Sequence, residues 1–471
     1  MKKRKLSLLL CAVLLLSFAC GLCACEKEEN PAPVTPPPTT PEYDGSAEDV
    51  TTELSELSFT EAIGIFKDAI QNSTDISSTL GKFKVEAEIP ENMFSKKGIT
   101  YVNLADGVIS MVNKEEEYYF GFVDGALSSV IRTEETDGKY ESSSTGQYQP
   151  AEALGAVALL EEALLVAEEH FGLSQITEDD FVKGDDGFFY LTDSYTRTLA
   201  QALVKAVFCI QNELDPKDFA NLSEDEKNAL SELADAIVSD SKPKLGFGMR
   251  MRKIQAVRFA IENMPMGEYT GGEYDSITVD LTVTLDSTRR SVEKASLDLA
   301  LVSEKRGDID LHLDFLGYYS DTDGEISYLG LNAEVSMTDA HVHTKETLNN
   351  DDVAVWGDRH FVLKLAFDSA FTATGGNLIE LFYQNESTPK RLEYAEDAVL
   401  KNEEKDRFMT AKNYTQKFDI KMNRDENKIG RIPCDISRGS VRATFTGSYK
   451  YGNAANPTPL SDEVKNLLGI K

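Results

Sequence analysis

The stretch "ITVDLTVTLDSTRRSVEKASLDLAL", residues 277–301, alternates oily and polar residues twice, with a polar turn in between. Ile277, Val279, Leu281, Val283 and Leu285 take every second position, and Ala295, Leu297, Leu299 and Leu301 do the same after the turn. Successive side chains of a strand point to opposite faces, so Thr278, Asp280, Thr282 and Thr284 must face the other way. The stretch therefore predicts a hairpin with one wet face and one oily face. A sheet built from it needs helices or a cavity on one side only.

The pattern continues outward in both directions. Upstream, Val257, Phe259 and Ile261 alternate; downstream, Ile309, Leu311, Leu313 and Phe315 do so. Nearer the N-terminus a meander is expected from Phe83 to Ser144. Its runs are separated by Asp106-Gly107, Asp124-Gly125 and Asp137-Gly138, the dipeptides that favour hairpin turns. Helical spacing marks Phe59–Gln71, Ala151–Phe171, Ser194–Asn212 and Ser223–Val238, the last opened by a Ser223/Glu226 capping box. Beyond Asp321-Thr322-Asp323-Gly324, read as a turn, further strands are expected at Leu329–Met337, Phe361–Phe367, Leu378–Tyr383, Phe418–Met422 and Val441–Tyr451. Glu393–Asp406 is a polar helical candidate there. A short helix over Ser461–Leu468 would dock through Val464, Leu467 and Leu468.

The fold class expected is α+β and strand-dominated: a large curved antiparallel sheet, or half-barrel, with helices on one side and a further mostly β region. The expected segments are a signal peptide (1–24), a tether (25–51), a sheet-plus-helix domain (52–320), a mostly β region (321–453) and a linker with a short helix (454–471).

The first of these segments carries the clearest chemistry. Lys2, Lys3, Arg4 and Lys5 precede a nearly unbroken apolar run, Leu6–Leu22, and charge returns at once with Glu26-Lys27-Glu28-Glu29. That run is short for a spanning helix and reads as a secretory signal. Leu22-Cys23-Ala24-Cys25 resembles the bacterial lipobox, which predicts cleavage between Ala24 and Cys25 and lipid attachment to the Cys25 thiol. Other registers fit less well: Cys20 has Ser17 where leucine is wanted, and Cys23 follows Leu22 where a small residue is wanted. Pro31, Pro33, Pro36, Pro37, Pro38 and Pro41 follow among threonines and acids, a composition that stays extended and buries no core. The expectation is a protein held by lipidated Cys25 on the outer face of the bacterial cytoplasmic membrane.

A lipobox, a tether, an N-terminal helix, a long meander with helices inserted mid-chain and then more strands is similar to the half-barrel lipid carriers. These are the Lol-type lipoprotein carriers and the mycobacterial lipid-transport lipoproteins. The resemblance is carried by Leu22–Cys25, by the order of elements over Phe59–Tyr319 and by the 277–301 hairpin. It implies a sheet curled around helices with an apolar cavity for acyl chains, hence a non-enzymatic protein binding a lipid or another apolar ligand. The large region after Asp321 and the strong acidity depart from that pattern. The alternative is a surface structural or protein-interaction module with a solid core.

The formal charge is −32, and loss of Lys2, Lys3, Arg4 and Lys5 with the signal would leave −36. Phosphate backbones repel such a surface, so nucleic acid is not an expected partner. No cofactor, catalytic residue or metal ligand is expected either. His341-Val342-His343, with His360 as a third candidate, reads better as a polar strand end than as a zinc site. Asp321–Glu325 has Gly324 fourth and Asn332 twelfth, against the glycine-sixth, glutamate-twelfth pattern of a calcium loop. The pairs Glu178-Asp179-Asp180 and Asp185-Asp186 are what 80 acidic residues supply by chance. Gly246-Phe247-Gly248 lacks the third glycine of a phosphate loop. Arg250, Arg252 and Lys253 form a basic patch interleaved with Phe247, Met249 and Met251. Tyr118–Phe122 and Phe188–Tyr190 are aromatic runs suited to a core or a pocket. Of the cysteines after Cys25, Cys209 and Cys434, the first lies among Ala206, Val207 and Ile210, so a buried thiol is expected rather than a disulfide.

Overall fold

A computed structural model describes residues 43–74, 84–89, 99–123, 126–134, 136–144, 150–173, 176–266, 272–319, 326–343, 353–368, 377–394, 414–423, 428–429, 447–451 and 454–470. The chain opens with helices α1 (Ala47–Glu56) and α2 (Phe59–Thr74). Strands β1 (Val85–Ile89), β2 (Thr100–Ala105), β3 (Val108–Val112), β4 (Glu117–Val123), β5 (Ala126–Arg132) and β6 (Glu141–Ser144) follow. Helix α3 (Pro150–His170), strands β7 (Phe181–Lys183) and β8 (Phe189–Leu191), and helices α4 (Asp193–Gln211) and α5 (Glu224–Ser241) interrupt the meander. It resumes with β9 (Lys244–Arg250), β10 (Lys253–Pro265), β11 (Ser276–Leu285), β12 (Val292–Val302) and β13 (Asp308–Tyr319). Then come β14 (Ile326–His343), β15 (Val353–Asp368), β16 (Asn377–Tyr394), β17 (Tyr414–Asn423), β18 (Lys428–Ile429) and β19 (Gly447–Tyr451), and helix α6 (Asp462–Leu468).

Every described strand pairing is antiparallel, and the 19 strands form one ladder. β7 to β19 pair in chain order, β19 pairs with β1, and β1 continues in order to β6. The sheet is not closed into a barrel. Its ends, β6 and β7, are strands of four and three residues, and short edges limit pairing with other chains. The expected regions 52–320 and 321–453 share this ladder: β13 pairs with β14 from Asp308↔Thr338 to Tyr319↔Ile326. Strands lengthen across it, to 18 residues in β14 and β16, or about 60 Å at the usual rise per residue.

The 277–301 hairpin is present as expected, with Leu281 opposite Leu297 and Val283 opposite Ala295. Leu297 pairs in turn with Leu313, and Leu313 with Ala333. These four side chains are buried and carry the main core. α1 contributes Val50 and Leu54 to it, and α2 contributes Phe59, Ala62, Phe66 and Ala69. A second core joins α3, α4 and α5 through Leu164, Ala167, Leu203, Val207, Leu230 and Ile237. α2 ties the two together: Glu168 accepts from the Phe59 N–H and the Thr60 hydroxyl, and Lys67 pairs with Glu161 at 2.7 Å.

Asp106-Gly107 turns β2 into β3 with both residues at positive φ (52° and 76°), as two-residue hairpins favour. Ser223 and Glu226 form the expected capping box on α5. α1 begins inside the stretch expected to be tether, taking up Ala47–Thr51. Ser46 and Asp49 make a capping box there, and Val50 is fully buried. α6 docks on β4 and β5 through Val464 and Leu468, while Leu467 faces outward, a correction to the expected docking set. Glu393 and Tyr394 end β16; the rest of the helical candidate Glu393–Asp406 lies outside the described residues, as do Asp124-Gly125 and Asp321–Gly324.

Leu297 sits in the centre of the main core and touches no water. Leu297→Ala is expected to lower unfolding free energy by about 2–5 kcal/mol, the cost of a buried cavity, measured by chemical denaturation.

Candidate functional site

Direct cross-strand partners share a face, so the oily rows can be followed strand by strand. The row Leu281–Leu297–Leu313–Ala333 continues to Leu363 and Tyr383. A parallel row runs Phe315–Leu331–Leu365–Leu381. Along β11–β13 these rows lie in the helix-covered core. The described helices reach the core through β7 and β9–β12. On β15 and β16 the same face carries Phe361, Leu363, Leu365, Phe367, Leu381 and Tyr383, all only half-buried. On the opposite face one cross-strand row, Glu334, Val362 and Gln384, is 5%, 0% and 1% exposed, while His360, Lys364, Ala366 and Phe382 around it are half-buried.

The half-buried apolar face is the main feature of the candidate site. An apolar strip about 26 Å long runs along β15 from Arg359 to Phe367, at the usual rise per residue. Phe361 and Tyr383 meet edge to face across β15 and β16, with ring centroids 5.4 Å apart. Arg359 ends the strip. It pairs with Met337 on one side and Ser387 on the other, and its guanidinium makes no hydrogen bond or ion pair among the described residues.

The polar face of β11–β14 holds a shallow open cleft of about 370 Å³. Asp280, Asp298, Asp310, His312 and Glu334 line it. His312 sits between two carboxylates, Nδ1 at 2.6 Å from Asp298 and Nε2 at 2.9 Å from Asp314. Burial disfavours its imidazolium, but the hydrogen bonds to Asp298 and Asp314 outweigh that and raise its pKa above the ordinary histidine value. Beside the cleft, Arg258 donates two hydrogen bonds to Asp280 and one to Asp186 at 2.6 Å. Burial works against the Asp186 carboxylate, yet hydrogen bonds from Tyr190, the Phe188 N–H and Arg258 hold it below the usual carboxylate range.

The residues singled out by sequence disperse. Glu178-Asp179-Asp180 form a 3-10 turn in which Asp180 caps the Thr177 N–H, and Asp186 serves the Arg258 network. Gly246-Phe247-Gly248 is part of β9. A side chain at Gly246 would strike the Tyr190 ring, and one at Gly248 the Tyr43 ring, so both glycines serve close packing. The basic patch is the tip of the β9–β10 hairpin, with Arg250 3.5 Å from Glu293 and Arg252 3.8 Å from Asp49. The aromatic runs part company: Phe188 and Phe189 are buried near β9, while Tyr119 meets Tyr140 on the far arm of the sheet.

His341 and His343 lie on β14; their side chains are outside the described set. His360 lies four positions along β15 from Trp356, the partner of His341, and faces Gln384 and Glu386. Among the described residues no group of three or more His, Cys, Asp or Glu side chains could hold a metal ion. Cys209 is a buried free thiol in α4, its pKa pushed up by burial; Cys434 lies outside the described residues. Ala24 and Cys25 also lie outside them. Among the described residues no helix is long and apolar enough to cross a membrane. Two features escaped sequence reading. The unpaired Arg359 sits among polar neighbours in sequence, and the half-open strip has the same alternation as a covered one.

A raised histidine pKa contributes stability below the unfolded value, about pH 6.5, and loses it as pH rises through the folded value. His312→Gln is therefore expected to destabilise the protein more at pH 5.5 than at pH 9, read by chemical denaturation of both proteins at each pH. No family model, curated protein or solved structure matches this chain.

Proposed function

We propose that the protein is a lipid-anchored extracytoplasmic lipoprotein that binds an apolar ligand on the β15–β16 strip. The observation that carries this reading is the half-buried apolar face. Six large apolar side chains continue the rows of the main core beyond the helices that cover it. Apolar surface left in contact with water forgoes about 25 cal/mol per Å² of burial, and contiguous patches of it mark sites of binding. An acyl chain or similar ligand would complete the burial that α1 and α2 complete elsewhere.

The anchor rests on Leu22-Cys23-Ala24-Cys25 and on the proline-rich run after it. The tether then meets the fold at a defined point. The Tyr43 hydroxyl hydrogen-bonds Thr284 at 2.8 Å, the Asp44 N–H donates to the Met249 carbonyl, and the Asp44 carboxylate accepts from the Met251 N–H. From Cys25 to Tyr43 an extended chain would reach about 55 Å, enough for the domain to work clear of a membrane surface.

Two measurements test this. Native mass spectrometry of the purified protein, with organic extraction, is expected to recover an apolar molecule, and Leu365→Glu to abolish its retention. Recovery of none, with no uptake of added acyl ligand, would refute the binding. Separately, Cys25→Ser is expected to move the protein out of the membrane fraction, followed by immunoblotting of cell fractions; retention there would exclude Cys25 as the attachment point.

A further inference from the structure

Arg359 and Ser387 are direct cross-strand partners on the face that carries the strip. Arg359 is half-buried, and no carboxylate among the described residues lies within ion-pair distance of its guanidinium. In a chain of formal charge −32 that is a notable isolation, and the geometry explains it. The acidic neighbours Asp358 and Glu386 occupy alternate positions and so face the other way. There Asp358 pairs with Lys390 at 2.8 Å, and Glu386 lies against Gln384 and His360. Ser387 is 1% exposed, and its buried hydroxyl has no hydrogen-bond partner among the described residues. A buried hydroxyl without a partner incurs a free-energy cost that an acceptor would remove, and the half-buried guanidinium has donors to offer the same acceptor.

We propose that the ligand of the strip is a single-chain amphiphile with an anionic headgroup, carboxylate or phosphate, held by Arg359 and Ser387. This rests on the apolar-ligand reading above and adds the headgroup to it. The guanidinium presents paired N–H donors that match either anion in a two-pronged contact, and the Ser387 hydroxyl can donate a further bond. From there the chain would lie along Phe361, Leu363, Leu365 and Phe367 on β15, flanked by Tyr383 and Leu381 on β16. One end of the site is thus cationic and polar, and the rest is apolar. A free fatty acid and a lysophospholipid with an anionic headgroup share this chemistry and differ in the headgroup alone.

The test uses the full chain carrying Cys25→Ser, so that its own lipid does not compete. Oleate, oleoyl lysophosphatidate and methyl oleate, each below its micellar concentration, are titrated by displacement of a fluorescent fatty acid. Both anions are expected to bind more tightly than the uncharged ester by about tenfold or more, the size of a charge-assisted hydrogen bond. Arg359→Gln should remove that margin, leave methyl oleate binding unchanged and so report an intact strip, while Arg359→Lys should restore part of it. The stronger of the two anions identifies the headgroup. Equal binding of ester and anions, or anion binding unaffected by Arg359→Gln, would overturn the headgroup assignment and leave the apolar reading standing. Failure of all three amphiphiles to bind would overturn both.

Discussion

The molecule depends on the register of four strands, β11 to β14, in which Leu281, Leu297, Leu313 and Ala333 stand in one row. The side-chain period of a strand is two, so a slip of one residue would exchange faces. Such a slip would drive Asp280, Asp298, His312 and Glu334, the adjacent row, towards the core and expose the leucines. Several interactions lock the register at one end of the sheet. The buried carboxylate of Glu53 on α1 accepts from the Ile254 N–H and pairs with Arg289 in the β11–β12 turn. The Ser73 hydroxyl at the end of α2 accepts from the Val292 N–H, and Asn72 donates to the Arg290 carbonyl. The two N-terminal helices thus hold both hairpin tips and cover the oily rows behind them.

The polar face of the same strands is organised rather than merely solvated. Arg258 links Asp186 to Asp280, and His312 links Asp298 to Asp314, so cations interrupt what would otherwise be a wall of carboxylates. Like charges directly opposite one another on neighbouring strands are destabilising, and Asp280 faces Asp298 in the ladder. The arginine and histidine offset that repulsion on either side of the pair. Their neighbours in sequence, Val257 and Phe259 beside Arg258 and Leu311 and Leu313 beside His312, face the dry core.

Along the sheet the inner face loses its seal. At β11 the inner row is sealed by helices and the outer row faces water. At β15 the outer Val362 is sealed, and the inner Phe361, Leu363 and Leu365 are only half-covered. Arg359 falls at the end of that half-covered row because the alternation places it there, and the same alternation turns the nearest carboxylates away. The strip, the cation at its end and the lack of a countercharge among the described residues are consequences of one register.

Local patterning was sufficient for much of this. Alternation named the strands and their faces, Asp106-Gly107 set a turn, and Ser223 with Glu226 started a helix, because each depends on residues within one or two turns of chain. Leu22–Cys25 resembles a lipobox on the same kind of local pattern, and these residues lie outside the described ones. The capping box of α1 at Ser46 was not read from the sequence, where the proline-rich run before it suggested a tether. Tertiary structure alone decided the rest. The pairing of β1 with β19 joins residues at opposite ends of the chain, and nothing in a two-residue period names a partner. Where the described helices stop covering the oily face, and hence which apolar rows stay half-buried, depends on the packing of several elements at once. Arg359 looks ordinary in sequence; only the ladder shows that it stands on the apolar face with no countercharge among the described residues.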